Sequence, residues 1–311
     1  MQEKEKGQQL LDLDEKGKAL NTPEKKEEKP AQENLTYILI VFLGVVISCL
    51  AVKIFLFPNE MKKHVFPNDY LNAADVNQAA GDLIIKLVKK KPNAKIGLGS
   101  GSSVKGLYEY IASKYQKRNI SFKKVQFYSL DGFCGVSKTD KNSYYNTLKT
   151  NFLSKIDADE KNIHLIDEEV TNPNEENCNK QAQEYNELLK ENQLDLQILG
   201  FGENGHFGFN QPGTLFESQT RAVELDEETL KEKAKLFGSL DKTPKFAITQ
   251  GISNVLNAKE VVVIGLGSKK ADAMKTLLDG EPTVNCPVSA LKTHQGRVVV
   301  YGDREAMSKR K

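Results

Sequence analysis

Hydrophobic positions recur along most of the chain in two periods. Val76, Ala79, Ala80, Leu83, Ile84, Leu87 and Val88 share one stripe of a 3.6-residue repeat, which predicts an amphipathic helix over 73–90. Ala94–Leu98 follows as a short apolar strand, then a Gly/Ser loop and a helix from about Val104. Further strand-like runs are Val125–Leu130, Ile163–Ile166, Leu196–Gly200, Val261–Leu266 and Val298–Tyr301. Helical patterns occupy about Ser143–Ile156, Asn177–Glu191, Pro244–Leu256 and Lys270–Leu278. Strands alternating with helices predict an α/β fold of the doubly wound, Rossmann-like kind, with a mainly parallel sheet and helices on both faces. Such sheets bind ligands at the carboxyl ends of their strands, and every loop considered below falls at such an end.

Two segments precede this pattern. Residues 1–34 hold 7 Lys and 9 acidic residues, with Thr22 the one β-branched residue and no aromatic. Such a stretch buries too little apolar surface to offset its ordering entropy and reads as a disordered polar tail. From Leu35 to Val52 the chain then runs 18 residues without a charge, and IFLF continues beyond Lys53 to Phe57. That length matches a bilayer core, so 35–57 is expected to be a single transmembrane anchor with the membrane as partner. The lysines at 16, 18, 25, 26 and 29 outnumber Lys53, Lys62 and Lys63, which favours a cytosolic tail. Cysteine usage and the chemistry below favour instead a cytosolic domain over 58–311, so the sequence leaves the sidedness open.

Across 311 residues, 44 Lys+Arg stand against 42 Asp+Glu, a net charge of +2. This balance excludes a strongly basic nucleic-acid binder, and 39% hydrophobic residues exclude a wholly disordered chain. Cys134, Cys178 and Cys286 are widely spaced and Cys49 lies in the apolar run, which argues against a disulfide framework and for a reducing compartment. No zinc-ligand spacing is present.

Four loops carry candidate chemistry. Gly97-Leu98-Gly99-Ser100-Gly101-Ser102-Ser103, between a strand and a helix, suits an anion, because small residues expose backbone N–H groups at a helix N-terminus. It also suits a plain tight turn. Asp131, in Ser129-Leu130-Asp131-Gly132-Phe133, follows an apolar strand and reads either as a helix cap or as a base for a proton on carbon. The densest loop runs from Gly200 to Thr214 and places His206 among five glycines, Asn204, Asn210 and Gln211. That setting favours proton transfer near pH 7 over a structural histidine, whereas His64, His164 and His294 read as structural. In Gly265-Leu266-Gly267-Ser268-Lys269-Lys270, a lysine at a helix start opposes the dipole unless an anion sits there, and a solvated surface lysine is the other reading, which accounts for one of the pair in any case. Together they point to acid–base chemistry on a phosphorylated small molecule.

These residues resemble the glucosamine-6-phosphate deaminase (isomerase) family, within the wider sugar-phosphate isomerase and 6-phosphogluconolactonase-like superfamily. The resemblance runs from about Leu71 to Ala306. It is most specific in GENGHFGFNQPGT, and IGLGSGSS and SLDGF are similar to the family's phosphate loop and catalytic-Asp segment. It implies a sugar-phosphate substrate, no cofactor, no metal and no nucleic acid, and it leaves room for a homo-oligomer. Ser100, Gly101, Ser102 and Ser103 would cradle the phosphate, with Lys270 and Lys235 as charged partners. His206, oriented by Asn204 and Gln211, would open the pyranose ring, and Asp131 would move a proton between C2 and C1. The product pair would be fructose 6-phosphate and ammonia. Gln211 and Gly132 stand where the family has Glu, and Phe133 stands for Tyr. A weakened sugar-phosphate sensor and a 6-phosphogluconolactonase are the alternatives. Val223 in place of a family Lys beside Arg221 speaks against allosteric activation by an amino-sugar phosphate.

Overall fold

The computed structural model describes residues 65–115, 117 and 120–310. Its strands are β1 (Val65–Tyr70), β2 (Lys95–Leu98), β3 (Gln126–Ser129), β4 (Asp131–Phe133), β5 (Ile163–His164), β6 (Leu196–Gly200), β7 (Arg221–Glu224), β8 (Phe246–Thr249), β9 (Glu260–Gly265) and β10 (Arg297–Asp303). The α-helices are α1 (Ala73–Lys90), α2 (Ser102–Tyr115), α3 (Tyr144–Asn151), α4 (Glu175–Glu191), α5 (Glu227–Phe237), α6 (Ile252–Leu256) and α7 (Ala271–Asp279).

Among the described residues, seven parallel strands form one sheet in the order β1-β10-β9-β6-β2-β3-β5. Alternate residues serve opposite faces, as the pleat requires. Val261, Val263, Leu199 and Tyr128 enter one core, and Val262, Ile264, Ile198 and Phe127 enter the other. Burial on both faces explains the unbroken apolar runs in the sequence. The chain leaves β2 outward through β3 and β5, then returns through β6 on the other side. The strand order therefore reverses between β2 and β6, and the crevice beyond their carboxyl ends is the ligand position of this fold class.

A second sheet, antiparallel in the order β4-β8-β7, sits over a small core of Phe133, Val136, Phe209, Leu225 and Ala247. Its strands and α5 were not legible as elements. Pro244–Leu256, expected to be helical, is β8 followed by the single turn of α6. Phe246 to Thr249 alternates too little for periodicity to identify it, and pairing with β4 and β7 makes it a strand. The helix expected over Ser143–Ile156 ends at Asn151 and gives way to a 3-10 turn at Leu153–Lys155.

Two further expectations are corrected. No helix among the described residues is long and apolar enough to cross a membrane, so the fold described is α/β alone, and neither the expected transmembrane helix nor the single-pass membrane placement finds support in it. The segments 1–34 and 35–57 themselves lie outside the described residues. The cysteine spacing argued against a disulfide framework, yet Cys134 and Cys178 form a disulfide, and Cys286 is free and buried. A separation of 44 residues hides this pairing from spacing arguments; the fold brings the residue after β4 against the first turn of α4.

Candidate active site

The loops after β2 and β6 meet at the reversal point because small residues let them. A Cβ on Gly200 would come 3.0 Å from the Ser103 Cβ, and one on Gly99 3.3 Å from the Ile198 carbonyl oxygen. Gly101 and Ser102 lie exposed at the N-terminus of α2, where unpaired N–H groups face outward. Ser100 behaves differently from its neighbours. Its Oγ donates a 2.8 Å hydrogen bond to Asp131 Oδ1, which ties this loop to the candidate base.

Asp131 opens β4 and is 6% exposed, with Thr249 of β8 as its register partner. The main chain before it is held firmly. The Ser129 carbonyl accepts from Tyr185 Oη at 2.9 Å and from Gln250 Nε2 at 2.9 Å, and Gln250 N–H donates to Leu130 O. Burial pushes the Asp131 carboxyl up to about 6, against the Ser100 hydrogen bond and the Lys233 charge, which both favour the anion. A carboxylate poised there can hold or release a proton near neutrality.

The His206 loop is anchored to the same β8. Phe209 N–H donates to Thr249 Oγ1 at 3.2 Å, and Asn210 Nδ2 donates to the Gln250 carbonyl at 2.8 Å. Arg221 of β7 braces it with Nη1 on Asn210 Oδ1 at 3.0 Å. Gly205 adopts φ +82°, a conformation that favours glycine, and a Cβ on Gly202 would run into the imidazole. Thus Thr249 and Gln250 join the strand that carries Asp131 to the loop that carries His206.

The imidazole tautomer follows from one amide. Asn204 Oδ1 accepts from the His206 backbone N–H at 3.1 Å, which identifies that atom as the oxygen, and the same atom lies 2.6 Å from His206 Nδ1. Nδ1 therefore carries the proton and donates, leaving the Nε2 lone pair as the base. Gln211 does not touch the ring; its Oε1 accepts from Asn204 Nδ2 at 3.3 Å. Burial, then Lys270 and Lys233, hold the imidazole below its ordinary pKa, opposed by Glu232 and Asp226. Burial and the two lysines thus favour the neutral imidazole.

The lysines divide by geometry. Lys269 is exposed and pairs with Glu203 at 2.9 Å. Lys270 is half-buried, held below its ordinary value first by burial, and its charge reaches His206. On α5, Lys235 is exposed, whereas half-buried Lys233 acts on both Asp131 and His206. Asp303, at the end of β10, accepts from Gly267 N–H with both oxygens at 3.0 Å and shapes the turn before Lys269. Sequence reasoning missed Lys233, Asp303 and Glu168. The first sits in a run of charges without a distinguishing neighbour, and the others are marked only by burial. His164 stacks on Tyr128 and His294 is buried, with Nε2 2.8 Å from the Ala258 carbonyl; His64 lies outside the described residues. Among the described residues no group of three or more His, Cys, Asp or Glu side chains is placed to hold a metal ion.

A doubly wound α/β scaffold with an anion-suited turn, a buried carboxyl and an imidazole at its reversal point is the arrangement that acid–base chemistry on a phosphorylated small molecule requires. The chain belongs to the family of glucosamine-6-phosphate isomerases and 6-phosphogluconolactonases, whose family model matches residues 71–300. It is 36% identical over 237 residues to the glucosamine-6-phosphate deaminase of Oceanobacillus iheyensis, covering 76% of this chain and 92% of that protein. Glucosamine-6-phosphate deaminase 1 of Bacillus subtilis is also 36% identical, over 76% of this chain and 96% of its own length. A solved monomeric glucosamine-6-phosphate deaminase superposes with a TM-score of 0.72 at 34% identity, covering 79% of this chain and all of the other.

Proposed function

We infer that the chain is a glucosamine-6-phosphate deaminase, converting glucosamine 6-phosphate and water into fructose 6-phosphate and ammonia. The observation that carries this reading is the convergence of Asp131 and the His206 loop on Thr249 and Gln250, beside the turn that holds Ser100. Relatives named for this activity match nearly their whole length. The continuation of the His206 loop into FNQPG favours the deaminase over the lactonase branch.

The substrate phosphate sits on Gly101, Ser102 and Ser103 at the α2 N-terminus, where N–H groups and the helix dipole favour an anion. Lys270 adds charge, and Lys233 is better placed for this than exposed Lys235. His206 Nε2 takes the proton of the anomeric hydroxyl and delivers one to the ring oxygen, which opens the pyranose. Asp131 then removes the proton on C2; that electron pair forms the C1–C2 double bond while the C1–O1 π pair moves to O1, which takes a proton to give an enolamine. Returning the proton to C1 gives an iminium at C2, which releases a proton from nitrogen as the imine and is hydrolysed by water to the ketone with loss of ammonia.

Gln211 keeps the hydrogen-bond chain to Asn204 but brings no charge to the imidazole. A sugar-phosphate sensor that binds without turnover is therefore the competing reading. The solved relative is described as monomeric, which supports a monomer over the homo-oligomer. Ammonia release by the full-length protein, with Asp131→Asn as control, tests the assignment. We expect turnover in the wild type and a loss of about 10²–10⁴-fold in the variant, the usual worth of a general base. Sugar-phosphate binding by both proteins with ammonia from neither would establish the sensor instead.

A further inference from the structure

Against Gly132, the residue that follows Asp131 in β4, lies a second carboxyl that the reaction above does not use. Glu168 is 1% exposed, although it sits in the polar run Asp167-Glu168-Glu169, which reads as surface. Its backbone is bound to the segment after β4, with its carbonyl accepting from Gly135 N–H at 2.8 Å and Val136 N–H at 3.0 Å. Its side chain turns back toward β4. A Cβ on Gly132 would meet Glu168 Oε1 at 2.9 Å and its Cγ at 3.0 Å, so this rotamer exists only because residue 132 is glycine. Oε1 accepts from Tyr145 N–H at 2.9 Å, and buried Oε2 has no hydrogen-bond partner.

A buried carboxylate oxygen without a partner is costly, and a proton on it removes most of that cost. The surroundings act the same way. Burial first, then the negative charges of Asp131 and Asp140, push the Glu168 carboxyl up to about 8, while N–H groups of Tyr145 and Tyr144 oppose this. Burial, with the negative charges of Asp131, Glu168 and Glu232 of α5, holds the Tyr144 phenol of α3 well above its ordinary value, so it stays neutral. Lys233 is the cation that reaches this group of carboxyls, through Asp131.

Building on the deaminase reading, we propose that Glu168 is a positioning residue for Asp131: protonated, it fills the space beside Gly132 and leaves Asp131 as the single negative charge facing the sugar. Loss of that proton places a second anion against the strand that carries the base. The pair then repels the charge that develops as the C2 proton leaves, and turnover falls. The departure at position 132 and the buried carboxyl at 168 are in this way one arrangement, in which a carboxyl reaches the flank of Asp131 from a different strand connection.

The test is the pH dependence of kcat/KM for ammonia release by the full chain, wild type against Glu168→Gln. The wild type is expected to rise through about pH 6 and to fall through about pH 8. Glu168→Gln should keep kcat at neutral pH within about threefold and lose the alkaline fall, because the amide stays neutral. An alkaline fall that persists unchanged belongs to another group, such as the substrate amine, and overturns the proposal. Carbon-13 NMR of the wild-type protein labelled at glutamate carboxyls gives a reading independent of how the variant folds. One carboxyl titrating near pH 8 supports the assignment, and all titrating in the ordinary acidic range overturns it. Turnover with an unaltered profile sinks this inference alone, whereas absence of ammonia from the wild type at every pH sinks the deaminase reading and this inference with it.

Discussion

Ser100 Oγ donates to Asp131 Oδ1 at 2.8 Å, so a residue of the anion-suited turn holds the candidate base. The bond stabilises the anion, and Asp131 would lose a proton less readily without it. In the proposed reaction the turn that receives the phosphate would in this way be tied to the residue that abstracts the proton.

The rate should rise with pH as Asp131 ionises near pH 6. Ser100→Ala removes the donor to the anion, so the acid limb of kcat/KM should move up by about half to one pH unit, together with a higher KM. A limb that stays in place, measured from about pH 5 to pH 8, would show that the bond is not maintained in solution.

Asp131 also bears on stability. Its folded pKa lies above its unfolded one, so its favourable contribution is complete at pH below about 4 and is lost as pH rises through about 6. At pH 7 the buried anion costs on the order of 2–3 kcal/mol. Asp131→Asn should therefore be inactive yet melt at a higher temperature than the wild type at pH 7, with the difference vanishing near pH 4. Calorimetry at the two pH values reads this directly.

At the His206 loop, Gln211→Glu places a carboxylate on Asn204 Nδ2, one residue removed from the imidazole. We expect a rise of a few-fold in kcat at pH 7. Asn204→Asp sets the charge against Nδ1 itself and should raise the His206 pKa further, followed by proton NMR. An unchanged or slower rate in both variants would mean that imidazolium formation does not limit ring opening.

The two α5 lysines separate cleanly. Lys233→Met should raise the Asp131 pKa and weaken sugar-phosphate binding by about tenfold or more, because its charge reaches both Asp131 and His206. Lys235→Met removes an exposed cation and should change KM by less than about threefold. The reverse ranking in KM measurements would place Lys235 on the phosphate.

The Cys134–Cys178 bridge closes a loop of 44 residues that contains α3 and Glu168. Opening it with reductant should lower stability by about 2–4 kcal/mol, or roughly 5–15 °C in Tm. Identical melting curves with and without reductant would show the cysteines to be unpaired in solution.

Much of this protein was legible in its amino-acid pattern. The stripe over 73–90 became α1, the run Leu196–Gly200 became β6, and the other central strands fell within a residue or two of their expected bounds. A strand buried on both faces must be apolar throughout, and a helix covering it must be apolar on one side, so local chemistry announces both. The glycine-rich loops announced His206 and the Ser100 turn for a similar reason, since close backbone approach leaves no room for larger residues.

The second sheet was not announced, because β4, β7 and β8 are three or four residues long and draw their order from one another. Burial of Glu168, selection of Lys233 over Lys235, and the reach of Gln211 to Asn204 rather than to the ring are likewise settled by packing. A charged residue in a polar run carries no local sign of where its side chain will end. Its environment is supplied by segments far away in the chain, here Gly132, Asp131 and Tyr145 around one carboxyl, and only the folded arrangement sets its charge.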